Sequence, residues 1–578
     1  MQRRLEPYQD QAQEAAEQCG QASRDGDRVR LPAVPPTRQR RGYRQGVPDA
    51  SSWSQDQVGA AEVIAALSLA TDLGMGLPLE HGLHSTVFAM RLCTRLGVDA
   101  ETASQVYYGC LLFYVGCTAD AEVQADLFED GALLAHFTPV MFGSRAQTIA
   151  GITRALAASP GALPARVIHA ATRLPHAVGG HRAHVAALCE VAQMLTEQLG
   201  LPGSVRDLFA HLTERWDGKG EPGRLKGEEI PFSLRIAHVA RDAAFQRVIG
   251  GDDYAAKVVL DRAGHAFDPA VAKTLASEAR QIMALDPDAS AWDETLATEP
   301  RPGLRLEGEQ IERALAAIGE FADLLSPYFV GHSRGVADLA EVAARRCRLP
   351  ASDVTAVRRA ALVHDVGRVA IPARIWQKAA SLTPDEWERV RLHAYYTERV
   401  LRRSPHLAAL VPIAVSHHER LDGTGYHRGV GASALTPPAR LLAAADAYHS
   451  MIEPRPYREA HSPGGAADAL GQEVRAGRLD ADSVAAVLDA AGHAVPRLLR
   501  PAGLTEREAE VITLLARGLQ TKQIARALGI SAKTADRHVQ NAYGKIGVST
   551  RAAAAVFAMQ HGLVGWGELP IAGGGGRS

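Results

Sequence analysis

Apolar residues along most of the chain recur three and four positions apart, as in "VGAAEVIAALSLA" near residue 58 and "SVAAVLDAAG" near residue 483. That spacing puts them on one face of a helix. Runs of β-branched residues alternating with polar ones are nearly absent. The pattern predicts an all-α body from about residue 56 to 495. Three stretches lack periodicity. Residues 1–55 are rich in Gln, Arg, Pro and Asp and read as a disordered tail. "LDPDASAWDETLATEPRPG" carries Pro, Asp and Gly punctuation and predicts a linker over 286–308. A shorter break at 496–503 leads to a C-terminal unit at 504–563, and 564–578 read as a second disordered tail.

The body repeats itself. "TERWDGKGEPGRLKGEEIPFSLRIAHVAR" (213–241) aligns without a gap on "HERLDGTGYHRGVGASALTPPARLLAAAD" (418–446). "HSTVFAMRL" (84–92) pairs with "HSRGVADLA" (332–340), and "GCLLFYVG" (109–116) with "AALVHDVG" (360–367). Two copies of one helical domain are expected, at 56–285 and 309–495, the first with extra sequence between about 118 and 185.

Bulk composition narrows the class. The chain has 578 residues, too many for one domain, with 46% hydrophobic and 22% charged residues and a net charge of −2. No global charge therefore marks a nucleic-acid or membrane partner, and any DNA-binding charge must be local. Six cysteines are scattered without a CxxC pair, which suits free thiols in a reducing cytoplasm. No apolar stretch is long enough to span a membrane, and no charged head followed by an apolar run marks a secretion signal.

The candidate chemistry lies in the second copy. His332, His364, Asp365, His393, His417, His418 and Asp446 supply five imidazoles and two carboxylates without a thiol. Such a set suits Fe, Mn or Zn better than Mg or Ca. Seven ligands exceed the needs of one ion. A carboxylate can bridge two ions about 3.5–4 Å apart, which together can hold a hydroxide and clamp a phosphoryl group. The ordered motifs "VHDVGR", "RLHA", "HHERLDGTGYHRG", "AADAYHSM" and "RPYR" resemble an HD-GYP domain, the branch of the HD phosphohydrolases that hydrolyses cyclic di-GMP. The resemblance implies one divalent transition metal ion on His332, His364, Asp365 and Asp446. It implies a second on His393, His417 and His418, with Asp365 bridging. It also places Tyr426 over the substrate mouth and assigns Arg455 and Arg458 to phosphate. The chain departs from the family pattern at Arg368, where a lysine is usual, and at His427, which stands for the proline of "GYP". Tyr328 replaces a glutamate that adds a third metal in some members, so two ions are expected.

The first copy has Phe113 and Tyr114 for His364 and Asp365, Leu212 and Thr213 for the histidine pair, and Arg241 for Asp446. His84, aligned with His332, is its one retained ligand on this reading. A degenerate copy is expected, one that packs against the second, binds a ligand or mediates dimerisation.

Residues 504–563 hold eight Lys or Arg against four Asp or Glu, a local positive balance. Thr505 with Glu508 forms a capping box, Gly518 and Gly529 end two helices, and Ser531 caps a third. Two helices joined by "LGIS" form a helix-turn-helix. Ala535, Val539, Ala542 and Ile546 share one apolar face of the third helix, leaving Lys533, Asp536, Arg537, Gln540 and Asn541 elsewhere. The stretch closely resembles the LuxR-type helix-turn-helix. That implies base reading by Asp536, Arg537 and Gln540, with Lys533, Lys545 and Arg551 nearer phosphates and Thr534 in the same DNA-facing set. The sequence thus reads as a cytoplasmic, homodimeric transcription regulator with no membrane partner, whose HD-GYP-like copy hydrolyses a cyclic dinucleotide. Two alternatives are an inert nucleotide and metal sensor, and a hydrolase of another nucleotide or phosphoester.

Overall fold

The computed structural model describes residues 57–116, 136–158, 163–286, 288–492 and 504–560, with residues 128, 502 and 563 beside them. Both expected tails and almost all of the 496–503 break lie outside the described residues. Among the described residues the fold is all-α, apart from one two-stranded ladder and three isolated β-bridges.

The first copy is built on α1 (Ala60–Met75), α2 (His81–Leu96), α3 (Ala100–Leu111), α4 (Leu163–Gln198) and α5 (Phe232–Gly250). The second uses α6 (Glu309–Asp323), α7 (His332–Arg346), α8 (Ala351–Val363), α9 (Pro384–Leu401) and α10 (Pro437–Ile452). One hydrophobic cluster runs through both, from Val63 and Phe88 to Val336, Val363 and Leu442. Strand β1 (Gln57–Gly59), just before α1, pairs antiparallel with β2 (Arg305–Glu307), just before α6. The ladder ties the beginnings of the two copies together. Ser404 Oγ also donates to Glu62 (2.9 Å), and Gln198 Nε2 to Glu320 (2.8 Å), so each copy hydrogen-bonds into the other.

Two expectations need correction. The 286–308 stretch is more than a linker. It contains the helix Ala291–Ala297, whose Ser290 cap accepts from Asp293 N–H at 3.2 Å, and Trp292 there is buried. Its Ser and Asp are helix-start residues, and its last residues form β2. The alignment of His84 with His332 is also out of register. His332 is the first residue of α7, and the buried carboxylate of Asp323 accepts from the next backbone N–H, that of Ser333, at 2.9 Å. In the first copy His81 begins α2, and Asp72 accepts from the next N–H, that of Gly82, at 3.1 Å. His81 is therefore the counterpart of His332.

The C-terminal unit has α11 (Glu506–Ala516), α12 (Thr521–Ala527), α13 (Ala532–Ile546) and α14 (Arg551–Gln560). The Thr505–Glu508 capping box forms, and Ser531 caps α13. Helix α14 lies against α4: Ala552, Val556 and Met559 join the core of the body, and Ser549 N–H donates to the Glu190 carboxylate at 3.0 Å. Gly518 sits so close to Pro327 that a Cβ there would lie 3.0 Å from the proline ring.

Candidate metal centre and nucleic-acid interface

Four elements deliver the imidazoles. His332 begins α7, His364 ends α8, His393 lies on α9, and His417 and His418 follow a short helix, Val411–Ala414. Asp446 comes from α10. All but His418 are essentially buried, and His418 is 19% exposed at its side chain, at the open edge of the cluster.

The tautomers follow from the backbone. Nδ1 of His364 lies 2.6 Å from Ala361 O, that of His393 2.5 Å from Val390 O, and that of His417 2.6 Å from Ala414 O. A carbonyl can only accept, so each Nδ1 carries the proton and each Nε2 turns a lone pair inward. The two Nε2 atoms of His393 and His417 then face each other at 3.2 Å. Two lone pairs at that distance repel unless a cation lies between or beside them.

Asp365 stands at the centre. Its Oδ2 is 2.9 Å from His364 Nε2 and 3.3 Å from His332 Nε2, while its Oδ1 is 3.3 Å from His393 Nε2 and 3.4 Å from His417 Nε2. Asp446 Oδ1 lies 3.3 Å from His332 Nε2 and 3.7 Å from His364 Nε2, and its Oδ2 is 3.9 Å from His418 Nδ1. Among the described residues the donor atoms form three groups within metal-ligand reach: His332, His364, Asp365 and Asp446; His393, His417 and His418; and a third, His332, His449 and Glu453, that shares His332 with the first. Electrostatics point the same way. Burial alone would raise both carboxylates; Arg368 and His364 hold Asp365 well below the usual range, and His332 and His364 do so for Asp446. Burial lowers His417 to about 4, which keeps its ring neutral, as a ligand must be. At His364 burial also disfavours charge, but the Asp365 carboxylate outweighs it and pushes the ring up to about 9, so the carboxylates draw positive charge to this position, as a proton on Nε2 or as a bound cation in its place.

Four further candidates behave differently from one another. Tyr426 stacks on His418 with ring centroids 4.6 Å apart, at the open edge. Arg368 is buried, lies over Phe329 at 4.4 Å, and reaches Asp365 Oδ2 at 2.5 Å. Arg455 donates to Tyr328 O and to Glu453 Oε2, each at 2.8 Å. Arg458 donates to the carbonyls of Ser450, Met451, Glu453 and Glu459 and so closes the end of α10. Contact with phosphate by Arg458 would require giving up some of these bonds.

Glu453 has no place in the sequence reading. Its Oε2 accepts from His332 Nδ1–H at 2.9 Å, and its Oε1 lies 2.9 Å from His449 Nδ1. It fixes the His332 ring from behind, the arrangement that outer carboxylates commonly provide at metal sites. The nearby Arg-Pro motif was visible in the sequence, but nothing in the spacing marked Glu453.

On the C-terminal unit, Ala535, Val539 and Ala542 are buried, with Ile546 partly so. Lys533, Asp536, Arg537 and Gln540 are exposed on α13. Thr534 is half-buried, and its N–H donates to Ser531 Oγ at 3.1 Å. Lys545 pairs with Glu508 at 2.6 Å, and Arg551 donates to Leu515 O and Leu519 O at 3.2 and 3.0 Å. The last two therefore brace the helical unit as well as offering charge.

Comparison with known proteins accords with this organisation. The HD domain family matches residues 148–271 and 318–483, and the luxR family of bacterial regulatory proteins matches 502–558. The 3'3'-cGAMP-specific phosphodiesterase 3 of Vibrio cholerae is 27% identical over 412 residues, 71% of this chain and 90% of its own length. Two further relatives align over less than half their own length. The 3'3'-cGAMP-specific phosphodiesterase 1 of V. cholerae is 30% identical over 33% of this chain and 44% of its own. A cyclic di-GMP phosphodiesterase of Thermotoga maritima is 40% identical over 18% of this chain and 29% of its own. The crystal structure of a cyclic GMP-AMP specific phosphodiesterase from V. cholerae shares the fold, with a TM-score of 0.52 at 23% identity, over 76% of this chain and 99% of that one. No described helix is long and apolar enough to cross a membrane. The chain belongs to the HD-domain family, and it joins an HD-GYP-type body to a LuxR-type helix-turn-helix.

Proposed function

We infer that this protein is a DNA-binding transcription regulator whose second HD copy is a metal-dependent phosphodiesterase acting on a cyclic dinucleotide. The observation that carries the reading is Asp365: buried, with one oxygen turned to each of two groups of inward-facing imidazoles. Two divalent Fe, Mn or Zn ions fit that donor set and would supply Lewis-acid polarisation of a phosphoryl group. The chain's own residues do the rest. His332, His364 and Asp446 hold one side, and His393, His417 and His418 the other. Tyr426 covers the open edge, where a base or ribose would stack. Arg368 and Arg455 place guanidinium charge beside the centre for the charge that develops on phosphorus-bound oxygen. The phosphodiesterases among the relatives support the substrate class. The LuxR-type unit, which in such regulators pairs across a two-part site, supports a homodimer on DNA in the cytoplasm.

The Arg368–Asp365 contact favours a second reading, an inert sensor in which nucleotide or metal only shifts a DNA-competent population. One experiment separates them. Purified full-length protein is assayed for metal content and for hydrolysis of cyclic di-GMP and 3'3'-cGAMP, beside His364→Ala. Near two ions per chain with hydrolysis, both lost in His364→Ala, is the expected result. Equal hydrolysis by the two proteins overturns the enzyme reading.

A further inference from the structure

The first copy keeps the scaffold of the second and inverts the charge at its centre. His81 stands for His332, and Phe113 and Tyr114 for His364 and Asp365. Gly116 packs under Leu188 O as Gly367 packs under His393 O, each with a hypothetical Cβ 2.1 Å away, so Leu188 stands for His393. Arg241 stands for Asp446. A guanidinium therefore occupies the place of a carboxylate.

Arg241 is 3% exposed and lies between two rings, 3.7 Å from the Tyr114 centroid and 4.2 Å from that of Phe113. Among the described residues its one hydrogen bond, from Nη1 to Cys110 O, is long at 3.5 Å. Its Nε and Nη2 meet no acceptor among the described residues, and neither does the Nε2 of His81, itself 3% exposed. No carboxylate among the described residues is hydrogen-bonded to Arg241. Burial pushes the Asp72 carboxyl up to about 8, against the pull of Arg241, and the Cys110 thiol up to about 12, and the Asp72 oxygens are turned to the Gly82 N–H. Burial lowers His81 well below its ordinary value and His238 to about 4, and His238 is bonded to Leu212 O at 2.8 Å. Asp242 is bound by Arg262 at 2.5 Å. The rings offer Arg241 only their faces; a buried cation without an anionic partner, and buried N–H groups left without acceptors, are both costly.

We propose that the centre of the first copy is an anion site that takes a phosphate group on the Nε–Nη2 edge of Arg241, with His81 Nε2 beside it. That edge is the planar fork which binds phosphate through two parallel hydrogen bonds. The aromatic walls that replaced the metal ligands exclude water and strengthen the interaction. The copy that lost its metals has become a receptor for the same oxyanion chemistry its partner would act on, whether from free phosphate or from a phosphoester.

The test uses the full-length protein, free of phosphate, titrated calorimetrically with inorganic phosphate, 5'-GMP or acetate, beside Arg241→Met. Phosphate heat that disappears in Arg241→Met while metal content stays at the wild-type level is expected. 5'-GMP binding in place of phosphate assigns a phosphoester source. Heat from acetate alone overturns the phosphate class, and heat unchanged in Arg241→Met overturns the site. If the variant does not fold, wild-type crystals soaked in tungstate decide. An anomalous peak within about 3 Å of Arg241 Nε or Nη2 is expected, and its absence overturns the proposal. Metal content reads the second copy separately, so loss of that reading leaves this one standing.

Discussion

Glu453 allows a sharp test of the metal centre because it holds the His332 ring from the side away from Asp365 and Asp446. Its carboxylate accepts from His332 Nδ1–H at 2.9 Å and from Arg455 Nη2 at 2.8 Å, and lies 2.9 Å from His449 Nδ1. Burial opposes its charge, but His332, His449 and Arg455 hold it well below the usual carboxylate range, so it is ionised at neutral pH. An anion behind His332 makes Nε2 a better donor and fixes the ring plane. Loss of such a partner typically costs about 10–100-fold in metal affinity, or about 1.4–2.8 kcal/mol. Glu453→Gln keeps the volume and one acceptor, so the lower end applies; Glu453→Leu removes both acceptors and should reach the upper end. Competition of Co2+ between full-length protein and a chromophoric chelator gives the affinity, and the cobalt absorption bands report ligand geometry. Unchanged affinity and bands in Glu453→Leu would refute the argument that His332 is a ligand held from behind.

Two further outcomes test other parts of the molecule. Arg537→Ala on α13 should lower specific DNA affinity by about 1–3 kcal/mol without changing metal content; mobility shifts on the selected site measure it, and full retention would sink the recognition-helix assignment. Glu398 accepts from Arg428 and from His427 at 3.2 Å, and although burial opposes its charge these contacts lower its pKa to about 2. The folded value lies below the unfolded one, so its stabilisation is complete above the ordinary carboxylate pKa and fades as pH falls toward 2. After a discount for solvent at a partly exposed group, Glu398→Gln should cost about 1 kcal/mol at pH 7 and nothing near pH 2. Urea unfolding at several pH values checks this, and a cost independent of pH would contradict it.

The helical class was legible because apolar spacing of three and four is a local signal, and so was the gathering of His and Asp side chains, which sit in dense motifs. The register of the first copy was not. Pairing the two His-Ser dipeptides placed His84 on His332, yet the separation between Phe113 and His364 is the same as that between His81 and His332. A constant offset carried more information than a shared dipeptide. The roles of Arg458, Lys545 and Arg551 were hidden for another reason. A basic residue in a motif advertises charge, but its N–H groups are directed by carbonyls and acids that only the fold brings near. Glu453 was hidden because its partner His332 lies 121 residues away.

The glycine-rich turn after His418 separates scaffold from chemistry. Glu419 is buried, and its two oxygens accept from Arg428 N–H at 2.8 Å and Val430 N–H at 3.0 Å. In the first copy Glu214, equally buried, accepts from Arg224 N–H at 2.8 Å and Leu225 N–H at 3.2 Å. A Cβ on Gly425 would lie 2.4 Å from Glu419 Cα, and one on Gly220 2.4 Å from Thr213 O. Both turns therefore require a carboxylate to gather backbone donors and a glycine to let the chain pass, whether or not histidines precede them. The imidazoles of His417 and His418 ride on a folding device that the first copy retains after losing every side chain that could make it a metal site at that position. What a duplicated domain keeps after its chemistry has gone is a guide to which part of a motif folds the chain and which part acts.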